Sequence, residues 1–151
     1  TLKPRDESSG KKQKKIAVAA LNGALGLKRW EEMNTVAHLT AALGARKGKS
    51  LLFQDEIKTK DDQAVSLNIQ HAIMIKRADS NDDMLSIIRD ARAQELAVTE
   101  FTREMIVTTD DKKVIASTKS KNQSEIEYLG VLVFGEKSMV EKITAKFKLF
   151  D

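Results

Sequence analysis

The chain has no cysteine, one proline, two histidines and only 5% aromatic residues among its 151 residues. The absence of cysteine excludes a disulfide scaffold and zinc sites built on thiolates. His38 and His71 alone cannot form an imidazole cluster, and we expect neither a metal nor a cofactor. No apolar run approaches the roughly 20 residues of a membrane helix, and no signal-peptide segment follows the N-terminus. We therefore expect a cytoplasmic protein without a membrane span.

Charge is abundant, at 32% of all residues, and its positive excess lies at one end of the chain. The formal net charge is +4, and residues 1–15 hold six basic and two acidic residues, which leaves the remainder neutral. We expect residues 1–14 to form a disordered basic tail and residues 15–151 to form a single domain. Because the neutral domain lacks the basic surface that nucleic-acid binding needs, tRNA is a partner that we consider but do not favour.

Short apolar runs alternate with segments of helical spacing along the chain. Strands are predicted over residues 15–21, 69–75, 97–101 and 128–134, with a weaker signal over 50–53. A first helix is predicted over residues 30–43, with Gly44 as its stop, and a last helix over 136–148. Because helices long enough to be crossovers separate the strands, we predict an α/β fold with a largely parallel sheet covered by helices.

The second helix carries the strongest signals. Ser80 or Asn81 can cap its N-terminus, and Asp82 and Asp83 suit the dipole of its first turn. Its apolar residues follow the i, i+3, i+4, i+7 rule and are expected in the core: Met84, Ile87, Ile88 and Ala91.

The first helix carries a polar stripe at helical spacing, formed by Glu31, Asn34, Thr35 and His38. A histidine beside a carboxylate on one helix face can transfer protons near neutral pH. The alternative, which we favour for the stripe taken alone, is a solvated helix face or a hydrogen-bonded histidine.

A second polar group, Glu100, Thr102 and Glu104, lies at the end of a predicted strand. In α/β sheets the carboxyl ends of parallel strands border an open crevice, although an ordinary charged turn is the alternative. Residues 44–50 have the composition of a phosphate loop, but they follow a helix instead of a strand, so no nucleotide site is predicted.

Several short motifs occur together in one superfamily: residues 15–18, 34–39, 100–102, 128–135, 140–144 and 148–149. On these motifs, residues 15–151 resemble the type II peptidyl-tRNA hydrolases. They resemble more closely an uncharacterised bacterial family of that fold, the domain of unknown function two thousand. The resemblance implies a mixed, mostly parallel four-stranded sheet flanked by helices, and a homodimer.

The resemblance also implies positions for a catalytic set. It places Glu31 where the hydrolases have a lysine and Thr35 where they have a glutamine. Glu100 falls at their aspartate and Glu104 at their threonine. These four residues are the catalytic candidates, and Asn34, His38 and Thr102 are the ligand-binding candidates.

The departure at Glu31 decides the functional prediction. A carboxylate in place of the lysine reverses the charge that would face an ester carbonyl or a tRNA phosphate. We therefore predict a binding or regulatory module without the usual hydrolase set, and a hydrolase acting on peptidyl-tRNA or a related ester or amide stays open as the alternative. We expect both polar groups to border one cleft, where clustered carboxylates raise one another's pKa and favour a cationic or hydrogen-bond-donating ligand.

Overall fold

The computed structural model describes residues 14–151, so the predicted basic tail lies outside the described residues except for Lys14. The elements follow one another as β1 (Lys15–Asn22), α1 (Arg29–Lys47), β2 (Glu56–Lys58), β3 (Ala64–Ser66), β4 (Ala72–Ala78), α2 (Asn81–Ala93), β5 (Ala97–Thr102), α3 (Arg103–Val107), α4 (Asp111–Lys119), β6 (Tyr128–Glu136), α5 (Lys137–Thr144) and β7 (Lys148–Leu149). Short 3-10 helices span Gly23–Leu25, Gly48–Leu51 and Gln123–Glu125. None of the helices in residues 14–151 combines the length and apolarity that a membrane span requires.

Five of the described strands form one mixed sheet in the order β5-β6-β1-β4-β7. Within this sheet β1 and β4 are parallel, and the other three neighbouring pairs are antiparallel. The predicted α/β class is confirmed, but the predicted four-stranded, mostly parallel sheet is wrong. The physical reason lies after β5, where α3 and α4 remain at the edge at which β5 ends instead of crossing a face of the sheet. β6 therefore starts at that edge and runs back between β5 and β1, and the carboxyl ends of β1, β4 and β5 share this edge.

The helices α2 and α5 cover one face of the sheet, and their core residues are those expected from the sequence. Met84, Ile87, Ile88 and Ala91 are buried, together with Val131 and Val133 of β6 and Val140 of α5. The Ser80 hydroxyl accepts a hydrogen bond from the Asp83 backbone N–H at 3.1 Å, so the predicted N-cap is confirmed.

The helix α1 covers the other face through Thr35, Leu39 and Leu43. It passes over Gly130 of β6, where a Cβ would stand 2.6 Å from Thr35 Cγ2, so glycine permits this close approach. The predicted stop at Gly44 is wrong, because α1 continues to Lys47 and is capped by Gly48, whose φ is 55°. A glycine inside a helix costs only about 1 kcal/mol, which packing of the flanking turns offsets.

Two weaker predictions from the sequence are also corrected, and one element was not predicted. Residues 50–53 do not form the predicted strand. Ser50 and Leu51 end a 3-10 helix, and Leu52 forms an isolated antiparallel β-bridge with Ile69. The exposed hairpin of β2 and β3 was not predicted, because its side chains show no buried alternation. The last predicted helix is shorter: α5 ends at Thr144, and Lys148–Leu149 instead pair with β4 as β7.

Candidate functional site

The N-terminus of α1 meets the carboxyl end of β5 through an ion-pair bridge. Glu31 Oε2 lies 3.3 Å from Arg103 Nη1, and Arg103 Nε lies 3.0 Å from Glu127 Oε2. The second oxygen of Glu31 accepts a hydrogen bond from the Lys28 backbone N–H at 3.0 Å. Arg103, to which the sequence assigned no role, therefore links the first turn of α1 to Glu127, beside the edge of the sheet at which β5 ends. One oxygen of Glu31 thus ties α1 to Arg103, and the other caps the N-terminus of α1.

The remaining polar-stripe residues of α1 do not form a single surface. Thr35 is fully buried, and its hydroxyl donates to the Glu31 carbonyl at 2.7 Å. His38 is exposed, and its ring stacks on Phe101 with centroids 4.5 Å apart. His38 Nδ1 lies 2.9 Å from the Asn34 carbonyl, which can only accept, so Nδ1 carries the proton in this contact. The predicted alternative of a hydrogen-bonded histidine describes His38.

Glu104, just past the end of β5, forms an ion pair with Lys121. Its side chain is 5% exposed, and its Oε1 lies 2.5 Å from Lys121 Nζ. Glu104 Oε2 and the hydroxyl of Thr102, also buried, make no hydrogen bond within the described part of the chain. Thr102 and Glu104 are thus buried, whereas the side chain of Lys121 is partly exposed.

The pKa of the Glu104 carboxyl is not raised by neighbouring carboxylates. Burial by itself raises its pKa, but hydrogen bonds from Lys121 and from the backbone outweigh burial, and the pKa lies below its ordinary value. The expectation that clustered carboxylates raise one another's pKa is therefore wrong for Glu104. Each of the carboxylates Glu31, Glu100 and Glu104 has its own cation.

This lowered pKa predicts a pH-dependent stability. The Glu104 pKa is lower in the folded than in the unfolded chain. The ionised carboxylate therefore adds to the free energy of unfolding above about pH 4.5, and this stabilisation is lost as the pH falls through the lowered pKa. We expect Glu104→Gln to lower the Tm at pH 7, and this deficit to shrink steadily below about pH 4.5. Calorimetry across pH measures it, with Glu141→Gln, an exposed ion-paired carboxylate, as the control that shows no such pattern. Parallel Tm–pH curves for wild type and Glu104→Gln would contradict the assignment.

Glu100 lies on the opposite face of the sheet from the stripe of α1. Its Oε1 lies 2.5 Å from Nη2 of Arg92 at the end of α2, whereas Phe101, next in β5, faces α1 and His38. Alternation of side chains along a strand imposes this separation. The expectation that Asn34 and Glu100 line one cleft is therefore wrong.

Glu100 instead lines an open groove that follows the outer edge of β5. The groove encloses about 420 Å³ between the ends of α1 and α2, and its lining comprises Arg46, Arg92, Leu96, Ala97, Val98, Glu100 and Met105. β5 is an edge strand, since β6 is its sole partner among the described strands. The groove therefore exposes the backbone edge of β5 together with apolar side chains, and it is flanked by Arg46 from α1 and Arg92 from α2.

The backbone of β5 shows which polar groups face the groove. Arg46 Nη1 donates to the Val98 carbonyl at 3.0 Å, so this carbonyl points away from β6. In an antiparallel pair alternate residues direct both backbone groups outward, so Glu100, two residues on, does the same. Arg46 makes no ion pair within residues 14–151.

A family model described as "Protein of unknown function (DUF2000)" matches residues 15–151. The chain belongs to the DUF2000 family. The family predicted from the sequence motifs is thereby confirmed, and the matched residues coincide with the predicted domain. The description of this DUF2000 family does not mention peptidyl-tRNA hydrolysis, so that part of the resemblance stays a prediction.

A solved structure is similar in fold to this DUF2000 chain. The protein of unknown function Atu0240 from Agrobacterium tumefaciens strain C58 superposes with a TM-score of 0.77 and 16% identity, covering 91% of this chain and 98% of that chain. At this identity the likeness shows the fold alone. No curated protein matches this DUF2000 chain.

Sequence reasoning about this DUF2000 domain missed the arginines that surround the predicted carboxylates. Arg103 lies inside the quoted segment of residues 100–104, so a signal was present there. Arg92 and Arg46 come from the ends of α2 and α1, and only the packing of both helices beside β5 brings them together. No spacing rule along the chain relates residues 46, 92 and 100.

Proposed function

We propose that this protein is a binding module that holds an extended polypeptide segment against the outer edge of β5. The observation that carries the proposal is the outward-facing backbone of Val98 and Glu100 within an open groove. Strand addition to a sheet edge is a recurring mode of peptide recognition, in which backbone hydrogen bonds supply affinity and side-chain pockets supply specificity.

The lining of the groove favours a segment with an acidic residue among apolar ones. Leu96, Val98 and Met105 offer apolar contacts to alternate side chains of an added strand. Arg92 is neutralised by Glu100, whereas among the described residues Arg46 has only a backbone carbonyl as its partner. Arg46 covers the edge in the absence of a peptide, as charged side chains commonly do at sheet edges, and would exchange the Val98 carbonyl for a carboxylate.

The four catalytic candidates of the hydrolase alternative are each engaged in an ion pair or a hydrogen bond. A general base needs a pKa near the working pH and access to the substrate. Glu31 and Glu100 are held by arginines, and the pKa of Glu104 is lowered by Lys121. Thr35 is fully buried, and its hydroxyl donates a hydrogen bond to the Glu31 carbonyl of its own helix. These engagements support binding over catalysis for these four residues.

The proposal is tested with peptides selected from a random display library against the full chain, whose affinities are then measured by fluorescence anisotropy. We expect selected peptides to carry an acidic residue and to lose at least about tenfold in affinity for Glu100→Pro. Proline removes the outward N–H of residue 100, which β6 does not use, so the fold of this edge strand is retained.

Two controls separate the backbone from the side chain. Glu100→Gln keeps the N–H and releases Arg92, so it is expected to bind the same peptides at least as tightly as wild type, whereas Arg46→Glu weakens the binding of acidic peptides. Equal affinity of wild type and Glu100→Pro would contradict strand addition. Release of tRNA from N-acetyl-aminoacyl-tRNA above the buffer rate would instead support the hydrolase alternative.

A further inference from the structure

Arg46 occupies a backbone acceptor that an added strand would need. Its Nη1 donates to the Val98 carbonyl at 3.0 Å, and this carbonyl belongs to the outward-facing edge of β5. A strand that pairs with this edge, in either direction, places one of its own backbone N–H groups on the same carbonyl. Arg46 and an added strand therefore compete for one acceptor, and every peptide must first displace the guanidinium.

The free energy of displacing Arg46 depends on the side chains of the incoming strand. Arg46 is exposed and makes no ion pair within the described residues, so no carboxylate of this part of the chain receives the displaced guanidinium. A carboxylate on the peptide restores its hydrogen bonds in charge-assisted form, whereas a neutral strand leaves the guanidinium to water. The contact of Arg46 with the Val98 carbonyl thus disfavours neutral strands, and acidic strands offset it.

The alternation of side chains along β5 fixes where on the peptide this carboxylate must lie. Thr99 faces α1, since its hydroxyl donates to the Leu39 carbonyl at 3.3 Å, whereas Val98 packs in the core cluster beneath α2. Side chains directly opposite each other on paired strands lie on the same face of the sheet. The peptide residue opposite Thr99 therefore points toward α1, which carries Arg46. It is also close to the displaced guanidinium, because the Val98 carbonyl lies between residues 98 and 99.

The peptide residues on either side of that position face α2 and are expected to be uncharged. The residue opposite Val98 contacts an apolar part of the groove that includes Leu96. The residue opposite Glu100 meets a carboxylate that Arg92 already neutralises at 2.5 Å, so neither sign of charge gains there. The preferred segment is therefore extended, with one acidic residue between two uncharged ones.

We propose that Arg46 determines the specificity of the β5 edge by closing it to strands that lack a carboxylate opposite Thr99. This inference rests on the proposed strand addition, and it adds the chemical class of the segment and the means by which that class is selected. The ligand is an extended segment of another polypeptide, with a single acidic residue directed at α1. In the free protein the same contact shields the edge from pairing with unrelated strands.

Fluorescence anisotropy with two matched peptides tests the role of Arg46. One is a selected acidic peptide, and the other has its acidic residue replaced by the corresponding amide. Wild type should bind the acidic peptide at least about tenfold more tightly than the amide peptide. Arg46→Ala, at an exposed position, should reduce this preference to within about twofold. It should also bind the amide peptide about two- to tenfold more tightly than wild type does, because the Val98 carbonyl is then unoccupied.

The chain offers a matched control in Lys47, an exposed cation that follows Arg46 in the last turn of α1 and lies outside the groove lining. Lys47→Ala should leave both affinities within about twofold of wild type. A third peptide, in which the acidic residue exchanges places with its neighbour, should bind wild type as weakly as the amide peptide does. Its carboxylate then faces α2 and cannot reach the guanidinium.

The outcomes separate this inference from the proposed function. If Glu100→Pro loses binding while Arg46→Ala keeps the full preference for the acidic peptide, the role of Arg46 is overturned and strand addition stands. Equal affinity of wild type and Arg46→Ala for the amide peptide would also overturn the inference, since it reduces Arg46 to an ordinary ion-pair partner. Binding that neither Glu100→Pro nor Arg46→Ala changes would overturn both proposals.

Discussion

Ile87→Ala is expected to lower the free energy of unfolding by about 2–5 kcal/mol. Ile87 is 1% exposed on the inner side of α2, in the core cluster that contains Val131 and Val133 of β6. Truncation removes buried methyl and methylene groups and leaves a cavity between helix and sheet, which the surrounding strands fill only in part. Denaturant unfolding of the purified chain measures the change.

The chain offers a matched control in Ile115, which is 52% exposed on α4. Ile115→Ala deletes the same atoms from a surface position and should change stability by less than about 0.5 kcal/mol. If Ile87→Ala were as mild as Ile115→Ala, α2 would not pack on the sheet as described, and the assignment of the core would fail.

Gly130→Ala is expected to destabilise the protein by about 1–3 kcal/mol, although it adds only one methyl group. The added Cβ would stand 2.6 Å from Thr35 Cγ2 and 2.9 Å from Leu39 Cδ1. Thr35 cannot rotate away without giving up the hydrogen bond from its hydroxyl to the Glu31 carbonyl. The helix α1 must therefore lift from β6, which also strains the bridge from Glu31 to Arg103.

Gly135→Ala in the same strand is the control for this effect. Its Cβ would meet Leu96 Cδ2 at 2.5 Å, but this atom is the far end of a flexible, half-buried side chain that can turn aside. We expect the loss of unfolding free energy for Gly135→Ala to be clearly smaller than for Gly130→Ala. Equal losses in the two variants would show that the approach of α1 to β6 is not the source of the effect.

The elements with one strong local signal were predicted well from the sequence. The helix α2 has a cap residue, an acidic first turn and a continuous apolar stripe, and all three agree with its burial. The strands β1 and β6 are apolar enough to be recognised, because both of their faces are covered. The direction of β6 was not predictable in this way, since it depends on where α3 and α4 lie and not on the composition of β6.

The helix α1 shows why the candidate site was only partly predictable. Apolar residues occur all around it, so its pattern does not determine which side faces the sheet, and the residues packed on the sheet include Thr35. Glu31 was placed correctly beside the end of β5, but Glu100 lies on the other face because neighbouring residues of a strand alternate. The groove beside Glu100 arises from elements distant in sequence, and no motif encodes it.

Hydrogen exchange of the backbone amides, with and without a selected peptide, tests the central claim most directly. The N–H groups of Val98 and Glu100 face away from β6, so they should exchange rapidly in the free protein, while those of Thr99 and Phe101 are protected. When the peptide binds, the N–H groups of Val98 and Glu100 are expected to become protected, because they donate hydrogen bonds to the added strand. Protection that appears instead around Thr102, Glu104 and Lys121, with Val98 and Glu100 unchanged, would contradict binding at the β5 edge.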